Sequence, residues 1–483
     1  MTRRVGIGAL CLLGLLTAAS ARPAGQGPLF TDAFPPEEFA ARRAKVLDAL
    51  GDGVAVIEGA AEYPGFLRFR QSSQFYYLTG IEVPRALLML DGRTRQATVF
   101  LAPRNPRLER SEGPVLVPGD DAAKLTGVSS VLARDDFKAA FVAAATAGRI
   151  VYAPMRAESP MAGTPLSSEG SAEATAEDPW DGRPSRQQQF VSRLKAAAPG
   201  IVVKDLDQLV DALRFIKSPR EIAAIREATR LSGLGIMEGI RNARAGMREY
   251  EVEAMADYVF KRGGAFGVAY FALVATGVNA YYPHYHAGTA TLKEGDLVIF
   301  DYAPDYHYYS SDVTRMFPAS GHFSPRQREL YTAYLRFYQA LMQSIVPNKA
   351  PRDIIKTAVV KMDAILAASR FSGDDTRAAA TAFVDRYRKS TANGLGHTVG
   401  MEVHDVYPPT EVLKPGMVFT IEPALTIEAD RTYIRLEDVI VITDTGYENL
   451  SAFAPVEADA IEALMAEPGR FKTPPAAPTA GKR

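Results

Sequence analysis

The chain of 483 residues offers almost no sulfur chemistry: its one cysteine is Cys11, in an apolar leader. Without a second thiol there is no internal disulfide and no thiolate metal site. With the leader removed, a cysteine nucleophile is excluded as well. Charge of one sign is also missing. Lysine and arginine number 55 against 56 acids, a formal net charge of -1, so bulk attraction to nucleic acid or an acidic membrane is not expected. Histidines are few, six in all, and tryptophan occurs once, at Trp180. The long apolar run lies at the N-terminus, from Val5 to Ala18, and is too short for a comfortable transmembrane span.

Arg3 and Arg4 precede that run, and Ala19-Ser20-Ala21 follows it with small residues. This is the pattern of a secretory signal peptide over 1–21, with a retained anchor as the alternative. The mature chain is expected to be exported, periplasmic or secreted, without membrane attachment. Apolar residues make up 47% of the chain and charged residues 23%, typical of a soluble globular protein. The length predicts two domains.

Periodicity predicts a helix from Pro36 to about Leu50, then short strands over 53–59, 86–90, 97–102 and 150–153. Asp91-Gly92 marks a hairpin. The alternation of helix and strand gives a small α/β domain over 36–210. Within it, 155–185 is rich in Ser, Gly, Ala, Glu and Pro without a period, and reads as a long exposed loop or insertion. A second domain, 217–465, opens at Ser218-Pro219-Arg220-Glu221, a capping box with proline at the first helical position. Ser324-Pro325-Arg326-Gln327 repeats the signal, and a further helix should carry Ile355, Val359, Met362 and Leu366. The Pro/Ala-rich tail, 466–483, is expected to be disordered.

Five ionisable residues stand in apolar or glycine-rich stretches, where a lone charge is costly to bury: Asp301, Asp312, His397, Glu422 and Glu437. Asp301 ends the run Leu297–Phe300, and a turn centred between Tyr306 and His307 would set it opposite Asp312. Glu422 ends the run Met417–Ile421, and a turn centred between Ala429 and Asp430 would set it opposite Glu437. Opposed side chains have Cβ atoms about 5 Å apart, so each acid pair would repel without a cation between them. His397, among Gly394, Gly396 and Gly400, would add one nitrogen ligand. Spacing alone leaves two readings open: a metal site, or strand-end acids acting as turn caps.

The same segments resemble the Xaa-Pro aminopeptidases (aminopeptidase P) of the creatinase-like "pita-bread" metallopeptidase family. The matching text is Gly295–Asp301, Ser311-Asp312-Val313-Thr314-Arg315, Gly394-Leu395-Gly396-His397, Glu402-Val403-His404-Asp405, Thr420-Ile421-Glu422-Pro423 and Arg435-Leu436-Glu437-Asp438, in the family's order. Phe69–Gly80 resembles the signature of the family's N-terminal domain. The resemblance implies an α/β (α+β) protein, a creatinase-like N-terminal domain followed by a pita-bread catalytic domain.

It also implies a dinuclear site for two divalent ions, Mn2+ first and Co2+ or Zn2+ as alternatives. Asp301 would bind one ion, Asp312 and Glu437 would bridge both, and His397 and Glu422 would hold the other. Glu422 is assigned as proton shuttle. His284, His404 and Arg435 match positions that support the ligands or touch substrate, with His286 as the rival of His284. The implied partners are peptides with proline in the second position, and a second copy of the chain in a homodimer or homotetramer. Asn393, Ala424 and Gly288 depart from the family pattern and bear on pocket shape. A dipeptide-cleaving prolidase and a non-enzymatic binding protein on the same fold are the competing functions.

Overall fold

The computed structural model describes residue 31 and residues 33–62, 67–159, 161–391 and 394–470. The expected signal segment, Asn393 and 471–483 lie outside the described residues. Among the described residues no helix is long and apolar enough to cross a membrane.

The N-terminal domain is built on a six-stranded sheet. Its strands run in the order Ser130–Ala133, Gln96–Leu101, Leu87–Asp91, Val54–Glu58, Ile150–Ala153, Val202–Asp205. The central strands Val54–Glu58 and Leu87–Asp91 are near-continuous apolar runs because helices cover both faces. Asp91 closes its hairpin over four residues, pairing with Gln96 and accepting from Arg93 N at 2.9 Å.

The 155–185 stretch is not the expected loop. It contains a helix, Pro165–Glu177, started by Thr164, whose hydroxyl accepts from Ser167 N at 3.2 Å. None of its side chains is buried, so it has no apolar stripe for periodicity to reveal. Trp180, in the turn that follows, is 96% exposed.

The C-terminal domain is a curved β layer backed by helices, among them Pro219–Asn242, Glu249–Arg262, Pro325–Met342, Pro351–Ala368 and Asp374–Arg388. The expected capping boxes form at Ser218 with Glu221 and at Ser324 with Gln327. The β layer holds the sheet Thr314–Pro318, Leu297–Asp301, Leu273–Thr276 and the sheet Val418–Ile421, Asp438–Ile442, Tyr447–Asn449. The hairpin Ala424–Ile427 with Thr432–Arg435 continues the second. Part of the tail expected to be disordered is held: Glu467 pairs with Arg241, and Arg470 N donates to Glu238 at 2.7 Å.

The two domains share a seam. One apolar cluster includes Phe39, Tyr76 and Leu88 of the first together with Tyr308, Val399 and Val439 of the second. Buried Arg70, from the N-terminal signature, donates to Asp305 at 2.5 Å, Met161 O at 2.8 Å and Met401 O at 2.9 Å. A buried charge with this many acceptors fixes an arrangement, because losing Asp305 leaves the guanidinium uncompensated and losing either carbonyl leaves an N–H unsatisfied.

Candidate metal centre

Asp301 ends its strand opposite Thr314, not opposite Asp312. The expected register is off by two because the turn is centred one residue later. Tyr306 pairs with Tyr309, and His307 and Tyr308 take φ of 50° and 71°. Left-handed backbone on two non-glycine residues is uncommon. Here the Tyr308 ring stacks on Tyr76 at 3.5 Å and its hydroxyl accepts from Gln71 N at 3.0 Å. Asp312 therefore lies beyond the paired strands. The Tyr270 hydroxyl joins it to Asp301, lying 2.6 Å from Asp301 Oδ1 and 2.7 Å from Asp312 Oδ1.

The second pair follows the expected register. Ile421 faces Asp438 and Ala424 faces Arg435, so Glu422 and Glu437 between them are opposed about a turn at 429–430. Glu437 then bridges to Thr314 through backbone bonds of 3.2 and 3.3 Å, which locks the two sheets edge to edge. The Thr314 hydroxyl donates to Glu437 Oε2 at 2.7 Å.

His397 reaches this junction because Gly396 lets the chain pass against the Thr420 carbonyl, where a Cβ would collide. Thr420 N donates to His397 O at 2.9 Å. His397 Nε2 stands 3.3 Å from Glu422 Oε1, 3.4 Å from Asp312 Oδ2 and 3.6 Å from Glu437 Oε1. All five side chains singled out in the sequence converge. Three triads have ligand atoms within 4.8 Å: Asp301–Asp312–Glu437 and His397–Glu422–Glu437, which share Glu437, and Asp312–His397–His404.

Four carboxylates face one guanidinium, that of Arg435. Arg435 contacts Asp301, Thr314 at 3.1 Å, Glu422 at 3.5 Å and Glu437 at 3.8 Å. The positive charge is insufficient. Burial pushes Asp312 well above the ordinary carboxyl range, and Glu437 and Asp301 push it further. Burial raises Asp301 against the pull of Arg435. Burial, then Glu437, raises Glu422 to about 7. Burial opposes ionisation of Glu437 too, but His397 and Arg435 outweigh it and draw it down to about 2. Glu437 Oε1 is buried without a hydrogen-bond partner. An orphaned carboxylate oxygen shared by two triads fits a pair of divalent cations, and the oxygen-rich set with one imidazole suits hard to borderline ions.

These residues open onto a cavity of about 1070 Å³, which His284 and His404 also line. His286 does not line it; its ring packs on Phe271 at 4.2 Å. The cluster excludes His307 and His322, both exposed. Sequence reasoning missed Tyr270 and Thr314 as partners of the acids. Thr314 lies in a quoted motif, whereas Tyr270 carries no signal of its own. Also missed was the helix Pro165–Glu177, which lines the cavity through Ser167, Ser171 and Thr175.

A model of metallopeptidase family M24 matches residues 223–444, and one of the aminopeptidase P N-terminal domain matches 39–152. The chain is 30% identical to the Xaa-Pro aminopeptidase of Escherichia coli K12 over 89% of its own length and 97% of that protein. It is 29% identical to the Xaa-Pro dipeptidase of Mus musculus, over only 52% of its length and 60% of the dipeptidase. A putative aminopeptidase P from Bacillus anthracis superposes with a TM-score of 0.75 at 26% identity, over 91% of this chain and all of that one.

Proposed function

The chain belongs to the Xaa-Pro aminopeptidase family of M24 metallopeptidases, and from that membership and the convergent acid cluster we propose that it releases the N-terminal residue from peptides with proline in second position. The family makes it a metallo-exopeptidase using divalent metal ions. The observation that carries the finer reading is Glu437, orphaned at Oε1 and common to two of the three triads, which supports a two-ion site.

Asp301, Asp312 and Glu437 would hold one ion, and His397, Glu422, Glu437 and Asp312 the other. Mn2+ is the proposed occupant on the hardness of the donors, with Co2+ and Zn2+ as alternatives. The chemistry such ions supply is Lewis acidity, which acidifies a water and polarises the scissile carbonyl. The remaining work belongs to the chain. Glu422 lines the cavity with its side chain 27% exposed, placed to take a proton from the nucleophile and give it to the leaving prolyl nitrogen. That nitrogen comes from a tertiary amide and leaves only when protonated. His404 would hydrogen-bond the oxyanion. His284, exposed and lining the cavity, would orient the substrate. Arg435 holds Asp301, Glu422 and Glu437 in place. Unused carboxylate valency nearby would receive the free amine, which limits cleavage to one terminal residue.

A prolidase would need the same ligands. The aminopeptidase reading is favoured because the N-terminal domain model matches and the dipeptidase aligns with only half the chain. The test compares Xaa-Pro with Xaa-Pro-Yaa, with and without added Mn2+. Metal-dependent cleavage of the tripeptide is expected, and cleavage of the dipeptide alone would select prolidase. The signal pattern at 1–21 supports export to the periplasm or medium, and the resemblance supports a homodimer or homotetramer.

A further inference from the structure

We propose that the helix Pro165–Glu177 is a wall that selects substrates by length, restricting efficient cleavage to peptides of about three to five residues. This rests on the aminopeptidase reading, and the proposal takes the helix to bound the leaving side of the cavity that it lines. Ser167, Ser171, Ala172 and Thr175 lie on one helical face, and that face lines the cavity into which the acids and His404 open.

No side chain of the helix is buried, so it contributes nothing to either core. Its place is nevertheless fixed. Buried Ala162, just before it, accepts from Val403 N at 3.0 Å, next to His404. Met161 O accepts from buried Arg70 at 2.8 Å, and Ser168 Oγ meets Ser159 Oγ at 3.1 Å. At the far end Gly182 N donates to Thr175 O at 3.1 Å. A surface helix without a hydrophobic stripe, tied through Ala162 by a main-chain bond to the loop carrying His404, is accounted for by what it faces. From Ser167 to Thr175 the wall extends about 12 Å at 1.5 Å per residue. An extended peptide covers that distance in about four residues, so a longer chain has to pass beyond the wall. Small side chains keep the space open for a short peptide.

Two variants of the full chain test this, assayed with Mn2+ on a tripeptide, a five-residue and a ten-residue Xaa-Pro substrate. In one, 163–182 is replaced by a short Gly/Ser link. Its ratio of kcat/KM for the ten-residue over the three-residue substrate should rise about tenfold or more over wild type. In the other, Ala172→Phe fills the cavity from a helix that holds up no core, so folding is preserved. It should cut the five-residue substrate about tenfold and the tripeptide less than about threefold. Unchanged ratios in the substitution variant overturn the wall while leaving the aminopeptidase reading intact. Failure of wild type to cleave any Xaa-Pro peptide with metal supplied removes that reading, and the wall with it.

Discussion

The imidazole of His404 lies against that of His397, with ring centroids 3.8 Å apart and planes tilted by 34°. Burial pushes His404 down to about 4, and repulsion from His397 adds to the shift. His404 is therefore neutral at working pH, a hydrogen-bond donor and not a cation. His404→Ala should lower kcat about 10²–10³-fold, the cost of losing one oxyanion donor, while bound metal is retained. Steady-state kinetics beside elemental analysis checks this. An unchanged kcat would remove His404 from the reaction.

Glu422 is the least enclosed of the four acids, its side chain 27% exposed against 8% or less for Asp301, Asp312 and Glu437. It alone of the four is poised to exchange protons with a substrate. Glu422→Gln keeps the shape and one oxygen ligand but cannot carry a proton. Turnover should fall about 10²–10⁴-fold, with binding of a competitive dipeptide weakened far less. Equal losses in both would assign Glu422 to binding only.

Arg315 is fully buried and donates to Asp438 at 2.7 Å, one residue beyond Glu437. Burial works against the Asp438 charge, but Arg315, Ser451 and Tyr338 outweigh it and hold its carboxyl below the ordinary range. A depressed folded-state pKa stabilises fully above the unfolded value, about 3.9, and is lost as pH falls through the folded value. Arg315→Met leaves Asp438 uncompensated and should cost about 3–5 kcal/mol at pH 7. Denaturant melts should show the gap to wild type narrowing below about pH 4. A gap that is constant from pH 7 to 3 would contradict the pairing.

The two acid pairs show where sequence arithmetic succeeds and where it stops. Glu422 and Glu437 could be matched because the turn at 428–431 is marked by polar residues and sits between apolar runs in one continuous register. Asp301 and Asp312 could not, because the turn centre is set by His307 and Tyr308 in left-handed conformations, with no glycine to mark it. That conformation is held from the other domain, by Tyr76 and Gln71. The 165–177 helix escaped for a different reason. Periodicity registers burial, and this helix buries nothing. Its start was nonetheless written in Thr164-Pro165, a cap followed by proline at the first helical position. Tyr270 was invisible, since nothing local marks a tyrosine that meets its acids only through the fold.

The most direct test of the two-ion centre is metal stoichiometry. Metal-stripped protein is dialysed against Mn2+ and analysed for bound ions, beside Asp312→Ala. Two ions per chain are predicted for wild type and one or fewer for the variant, with loss of Xaa-Pro-Yaa cleavage in step. Wild type that binds no ion, or a variant that keeps both ions and its turnover, would contradict the account.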